Sequence, residues 1–442
     1  MSLILENVGA AGLTGPLYSG VDLVVDPGEC LCITGPTGCG KSTLLRTMAG
    51  LHEPGPGRVL LDAQPVSQAL PGHIGLILQN PDTQFLCPDV GSELAFGLEN
   101  LRVPATEMTS RMLRALSRTG LDALALDRPV STLSVGQKYK LLIAAMLVME
   151  PRILLLDEPC AQLDQSGIDA LNAILENFLA GGGSVVLCEH DPAPLRAIDR
   201  ILGIKDRVLW SANAPSSADL PVPPPIPGNN AVVTLESARL ELGEKRIWEH
   251  LDFTLHKGEI TIIQGDNGSG KTSLLRCLTG FELLTAGSAT VFGLPPSPKE
   301  LRGRVGLLVQ NPARQLTADT VLDEVSFPLM HRRLPRQRCR DMAMDILVKL
   351  DLDSLAERPP FLLSHGEQHL VALASVLAVE PELLLLDDPF VGLDPVSTAR
   401  VWGILHQTSM SGTSVICALH RSPAVHGAHS VHKLHDMGLT AC

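Results

Sequence analysis

The chain has 442 residues, 45% of them hydrophobic and 19% charged, enough for two or more globular domains with sizeable cores. Its formal net charge of −13 has the wrong sign for a protein that holds phosphate backbones by releasing counterions, so no nucleic-acid partner is expected. Ten cysteines lie scattered without a CxxC pair, several inside apolar runs such as Cys30 and Cys32, which fits reduced, buried thiols with no disulfide partner.

The opening "MSLILENVGAAG" lacks a basic region followed by a long apolar segment, so no signal peptide is expected. The run "CLCITG" reads as a strand and feeds "GPTGCGKS" at 35–42, which fits G-x-x-x-x-G-K-[ST] and opens a helical "TLLRTMAG". In that context the glycines let backbone N–H groups curl around phosphate, the helix N-terminus adds positive potential, and Lys41 meets the β- and γ-phosphates. Gly35, Pro36, Thr37, Gly38, Cys39, Gly40, Lys41, Ser42 and Thr43 are the candidate nucleotide-binding residues, with Ser42 placed to ligate Mg²⁺.

"HIGLILQ" is the next β-like run, ending at Gln79, and "LSVGQ" at 133–137 stands directly before a helical stretch, a good N-cap taken alone. "ILLLD" reads as a strand buried on both faces that delivers Asp157 and Glu158 at its C-terminal end, where ligands bind in open α/β sheets. Asp157 is expected to hold Mg²⁺ and Glu158 to orient the attacking water. "SVVLCEH" follows, ending at His190. The longest apolar runs, at 141–149 and 370–379, fall short of the roughly 18–20 residues a membrane-spanning helix needs. The chain is therefore expected to be cytoplasmic, with any membrane role borrowed from a partner.

"SANAPSSADLPVPPPIPGNN" at 211–230 has no apolar periodicity and reads as a Pro-rich linker, extended at about 3.1 Å per residue. It separates two copies, residues 1–210 and 231–442, because the landmarks return at a fixed interval. Lys41, Ser134, Asp157, Asp164 and His190 match Lys271, Ser364, Asp387, Asp394 and His420, each 230 residues later, while Gln79 and Gln310 differ by 231. The second phosphate loop, "GDNGSGKT", supplies Gly265, Asp266, Asn267, Gly268, Ser269, Gly270, Lys271, Thr272 and Ser273, with Thr272 and Asp387 as its Mg²⁺ ligands. Alternating short strands and longer helices predict an α/β fold, each copy a mostly parallel sheet flanked by helices.

With "LSVGQ", "LSHGE" at 363–367, Gln79, Gln310, His190 and His420, each half resembles an ATP-binding-cassette (ABC) nucleotide-binding domain along nearly its whole length. The resemblance implies an ATPase whose halves pair head to tail within one chain, each with a helical signature subdomain. Ser364 and Gly366 would then complete the first ATP site, and Ser134 and Gly136 the second. It also implies catalytic roles for Gln79, Gln310, His190 and His420, with the two glutamines also ligating the metal. "LQNPDTQFLCPDVGSELAFGLENLRVPATEM" further resembles the ATPase components of energy-coupling factor (ECF) importers of vitamins and transition-metal ions, echoed by "VQNPARQLTADTVLDEVSFPL". That implies a transmembrane T component docking near Gln79–Phe85 and Gln310–Leu316, a separate S component that captures the solute, and a peripheral place on the inner face of the membrane. The rival readings are a twin-cassette ATPase of another importer and a ribosome-associated twin-cassette factor; the short, barely charged linker argues against the latter.

Val135, His365 and Glu367 depart from the usual signature, and no aromatic stands in an adenine-stacking register, Tyr18 being the nearest. Asp388 is one methylene shorter than Glu158, so the first site is expected to carry most hydrolysis. The more divergent signature expected to serve that site works in the opposite direction. The basic stretch 331–340 is expected to be a solvated helical face, and His426, His429, His432 and His435 an ordinary strand and turn rather than a metal site.

Overall fold

The structure is a computed structural model describing residues 2–12, 15–69, 71–205, 207–211, 230–243, 245–311, 315–332, 334–420, 428–435 and 438–441. It divides into two compact units, Met1–Ser216 and Ser217–Cys442. All of the expected linker except Ser211 and Asn230 lies outside the described residues, and Ser211 closes a strand.

The first unit runs β1 (Leu3–Gly12), β2 (Gly15–Val25), β3 (Cys30–Thr34), α1 (Lys41–Met48), β4 (Arg58–Leu61), β5 (Gln64–Pro65), β6 (Ile74–Ile77), α2 (Val90–Asn100), α3 (Ala105–Arg118), α4 (Val135–Leu147), β7 (Ile153–Asp157), α5 (Gln165–Ala180), β8 (Ser184–Cys188), β9 (Arg200–Lys205) and β10 (Val208–Ser211). Its six-stranded sheet has the order β10-β9-β3-β8-β7-β6, parallel except where β10 pairs with β9. Every residue of β7 and β8 is buried, as continuous aliphatic runs require when a sheet is covered on both faces.

The second unit runs β11 (Ala231–Leu242), β12 (Lys245–His256), β13 (Ile260–Gln264), α6 (Lys271–Thr279), β14 (Ala286–Val291), α7 (Pro298–Leu301), β15 (Val305–Leu308), α8 (Val321–Met330), α9 (Arg336–Leu350), α10 (His365–Ala378), β16 (Leu383–Asp387), α11 (Pro395–Met410), β17 (Ser414–Leu419), β18 (Ser430–His435) and β19 (Gly438–Ala441). Its main sheet repeats the first order element for element: β19-β18-β13-β17-β16-β15.

A feature the sequence reading did not anticipate is a separate antiparallel sheet in each unit, β2-β1-β4-β5 and β12-β11-β14. These strands alternate buried and exposed residues, and their buried side chains share a core with the phosphate-loop strand and helix. Tyr18 belongs to this layer. It is 1% exposed, its hydroxyl lies 3.2 Å from Thr47 Oγ1, and a Cβ on Gly40 of the phosphate loop would meet its Cδ1 at 3.2 Å, so its burial leaves no ring face open to an adenine. Trp248 occupies the same register under Gly270, again fully buried.

The basic stretch is anchored on one side, since Arg340 pairs with Asp323 and Glu357. His432 and His435 lie on β18, and His429 Nδ1 accepts the Ile260 N–H at 2.9 Å; His426 lies outside the described residues.

The repeat extends to backbone strain. Asn7 and Ser237 interrupt β1 and β11 with φ of 51° and 45°, and opposite them stand Gly57 (φ 97°) and Gly287 (φ 79°). A Cβ on Gly57 would sit 2.3 Å from the Glu6 and Asn7 carbonyl oxygens, and one on Gly287 2.2 Å from Ser237 O. Gly57→Ala and Gly287→Ala are each expected to destabilise their unit by roughly 2–4 kcal/mol, read as a lower urea midpoint at unchanged slope.

Candidate functional site

Each phosphate loop is a strand-to-helix turn with glycine at the helix N-cap, Gly40 (φ 100°) before α1 and Gly270 (φ 96°) before α6. Only glycine serves there, because a Cβ on Gly270 would meet Ile247 Cγ2 at 2.3 Å and Trp248 Nε1 at 2.7 Å. Lys41 folds back over the loop, its Nζ donating to Gly35 O (2.9 Å) and Pro36 O (3.1 Å). Lys271 does the same to Gly265 O (2.7 Å) and Asp266 O (3.0 Å). Both ammonium groups are nearly buried, and each is held at the mouth of a helix N-terminus, an arrangement that attracts an anion.

The acids arrive at the end of β7 and β16. Thr272 Oγ1 donates to Asp387 Oδ2 at 2.7 Å, and Ser42 likewise hydrogen-bonds Asp157, whose Oδ1 is buried without a hydrogen-bond partner among the described residues. Burial pushes both Asp157 and Asp387 up to about 6; in each the hydroxyl partner pulls the other way and the following carboxylate adds to the rise. A hydroxyl and a buried carboxylate beside a phosphate-binding loop form a hard-oxygen set that fits a small divalent cation.

Glu158 and Asp388 both take left-handed backbone, with φ of 48° and 50°, rare for residues with a side chain. Their N–H groups donate to Cys188 O and Ala418 O, each at 2.9 Å. Beyond that the two units differ. Glu158 spans two neighbours: its Oε2 accepts from Gln79 Nε2 at 2.6 Å and its Oε1 lies 3.0 Å from His190 Nε2, which is itself 3.4 Å from Lys41 Nζ. Among the described residues the hydrogen bonds of the Asp388 carboxylate go to the histidine. Its Oδ1 lies 2.8 Å from His420 Nδ1 and accepts the His420 N–H at 3.1 Å, and among the described residues no hydrogen bond joins it to Gln310. Burial alone would raise the Asp388 carboxyl, but His420 and Lys271 outweigh it and hold it below the ordinary aspartate value.

Ser134 and Ser364 are N-caps of α4 and α10, and both head full capping boxes. Gln137 Oε1 accepts the Ser134 N–H at 3.0 Å, and Glu367 Oε2 accepts the Ser364 N–H at 2.8 Å. The Glu367 departure thus keeps the cap intact. Gly136 lies in the first turn of α4, where an added Cβ would meet nothing within 4 Å, and Gly366 is buried in α10.

The sequence reading missed the groups that build the segment after each glutamine. Gln84 Oε1 accepts the Leu78 N–H (2.9 Å) while its Nε2 donates to Leu78 O and Asn80 O (both 3.0 Å). Gln315 repeats this toward Val309 N and Leu307 O. The buried Glu93 accepts the Leu86 and Cys87 N–H groups, and Glu324 those of Thr317 and Ala318. Both pairs recur 231 residues apart, the same interval as Gln79 and Gln310, and that interval was the available signal. Phe85 and Leu316 are half-buried against their own cores, whereas Leu86 is 67% exposed.

Residues 18–161 and 248–391 match the family described as ABC transporter. Among curated proteins the chain is 32% identical to "Putative ABC transporter ATP-binding protein BL0043" of Bifidobacterium longum, over 91% of this chain and 60% of that protein. It is 29% identical to "Putative HMP/thiamine import ATP-binding protein YkoD" of Bacillus subtilis, over 96% and 88% of the two chains. Among solved structures, cbiO1 from Clostridium perfringens, titled as part of the ABC transporter complex cbiONQ, matches at 32% identity and a TM-score of 0.43, over 47% of this chain and 86% of that one. The chain spans less than two thirds of the first relative's length.

A buried acid whose folded value is raised destabilises the fold once it ionises. Between the unfolded aspartate value near 4 and the folded value of about 6, rising pH removes a proton that the folded state prefers to keep. Asp157→Asn and Asp387→Asn are therefore each expected to stabilise the nucleotide-free chain at pH 7.5 by roughly 2–3 kcal/mol. Thermal unfolding measured from pH 4 to pH 8 should show the gain over the parent chain shrinking toward zero at the acid end.

Proposed function

We propose that this chain, which belongs to the ABC transporter family, hydrolyses ATP as the energy-coupling ATPase of an ECF-type importer for a vitamin or transition-metal ion, driving a separate transmembrane component. The observation that carries the reading is the twofold set of phosphate loop, strand-end acid, glutamine and histidine, one in each unit. The run after Gln79 and the likeness to a protein named for HMP/thiamine import support the importer class. No helix among the described residues is long and apolar enough to cross a membrane, and this reading takes the membrane passage from partner subunits. We assign these to a T component that receives the exposed Leu86 segment and an S component that carries solute selectivity, which would hold the chain against the inner face of the membrane.

In this reading the phosphate-loop residues bind ATP, and Ser134, Gly136, Ser364 and Gly366 donate to its phosphates. Ser42, Gln79 and Asp157 in the first unit, and Thr272, Gln310 and Asp387 in the second, would hold Mg²⁺; the unpartnered Asp157 Oδ1 fits that role. When bound, the ion neutralises phosphate charge. Lys41 exchanges its loop carbonyls for phosphate oxygens, and Glu158, braced by Gln79 and His190, accepts a proton from the attacking water. Asp388 pairs with His420 and is one methylene short, so in this reading the first unit carries most of the turnover and the second chiefly retains nucleotide.

Glu158→Gln is expected to lower ATP turnover on the order of a hundredfold, with Asp388→Asn leaving a substantial fraction, because a shift near 1 Å costs about that much when positioning is what catalyses. Equal losses, or the reverse order, would remove the division of labour. Leu86→Glu is expected to weaken co-purification with the membrane subunits while ATP binding stays intact. Unchanged assembly would exclude that segment as the docking surface.

A further inference from the structure

The turn that follows Glu158 is held by a carboxyl outside the set above. Cys160, two residues on, donates its N–H to Glu189 Oε1 at 2.7 Å. Glu189 follows β8 directly, precedes His190 and is 5% exposed. Its own N–H donates to Ile33 O of β3, the strand that feeds the phosphate loop, at 3.1 Å. One buried side chain thus fastens the far end of the catalytic turn to the sheet, while the Glu158 N–H fastens the near end through Cys188 O. Between the two points the chain passes through left-handed backbone at Glu158, a conformation that persists only where its surroundings over-determine it.

The second unit lacks this tie. Leu419 stands where Glu189 does and offers no acceptor, and Phe390 stands where Cys160 does, packing its ring 5.7 Å from that of Trp402. Burial, and after it the nearby Glu158, push the Glu189 carboxyl up to about 8, so at neutral pH it fastens the turn without adding a charge beside Glu158.

We propose that Glu189 is a positioning residue for ATP hydrolysis in the first unit: its acceptor oxygen fixes the turn through Cys160 and thereby aims Glu158, and the second unit does without it. The inference rests on the reading of Glu158 as the acid that acts on the attacking water.

The test uses the full chain, purified with the membrane subunits that accompany it, in two backgrounds. With the second site weakened by Asp388→Asn, Glu189→Met, close in shape but with no acceptor, is expected to lower kcat on the order of tenfold while KM for ATP stays constant. Glu189→Gln, which keeps the acceptor oxygen, should restore the rate. With Glu158→Gln as the background, Glu189→Met should leave the residual turnover unchanged, a selectivity that a general loss of folding would not produce. Glu189→Leu, which borrows the second unit's residue, serves as an independent replacement should the Met variant not fold. Equal losses in both backgrounds, a raised KM at constant kcat, or an unimpaired Glu189→Met chain in the Asp388→Asn background would overturn the proposal. An active Glu158→Gln chain would remove the underlying reading first, whereas an inactive Glu158→Gln chain with full activity in Glu189→Met would overturn this inference alone.

Discussion

In both units a carboxylate, Glu158 or Asp388, stands in left-handed backbone at the end of a strand with no exposed residue. Burial of the strand fixes where the acid is delivered, and the left-handed turn fixes where it points. The rest of each unit meets the consequences. The preceding aspartates are pushed up to about 6 by the same burial, so the nucleotide-free site stores an electrostatic cost that a bound cation would relieve. The phosphate loop stands beside them because β3 and β13 lie one strand away from the acid-bearing strands, separated only by β8 and β17. The alternation of the parallel sheet therefore gathers loop, acid and histidine at one edge, where ligands bind in such sheets.

One methylene decides how that edge is wired. Glu158 is long enough to accept from Gln79 and face His190 together, which links the segment entering α2 to the end of β8 through a single side chain. Asp388 gives up the first link and makes a tighter pair with His420, which uses its other ring nitrogen. His420 and Lys271 outweigh burial and hold the Asp388 carboxyl below the ordinary aspartate value. The two units are thus alike in fold and different in the one group where length matters.

Much of this was legible in the sequence because it rests on local rules. Aliphatic runs bounded by glycine and acid gave β3, β7, β13 and β16, and the serines standing directly before helical stretches are the N-caps of α4 and α10. What stayed hidden depends on distant pairing. The antiparallel sheets join strands whose alternating pattern names no partner, and the burial of Tyr18 follows from that layer rather than from its neighbours in sequence. The hold of Glu189 on Cys160 joins residues 29 positions apart, and the Gln84 and Glu93 brackets use polar side chains that look like surface residues until the backbone they satisfy is seen.

The central claim, that the two units turn over ATP unequally, is tested most directly by finding where product is caught. A labelled, photoreactive azido-ATP would be trapped as the ADP form with vanadate during turnover and cross-linked by light to the residues beside it, and the chain then cut at a protease site inserted within residues 212–229 to separate the units. The account predicts label chiefly in the half that contains Glu158; equal label in both halves, or label chiefly in the half that contains Asp388, would contradict it.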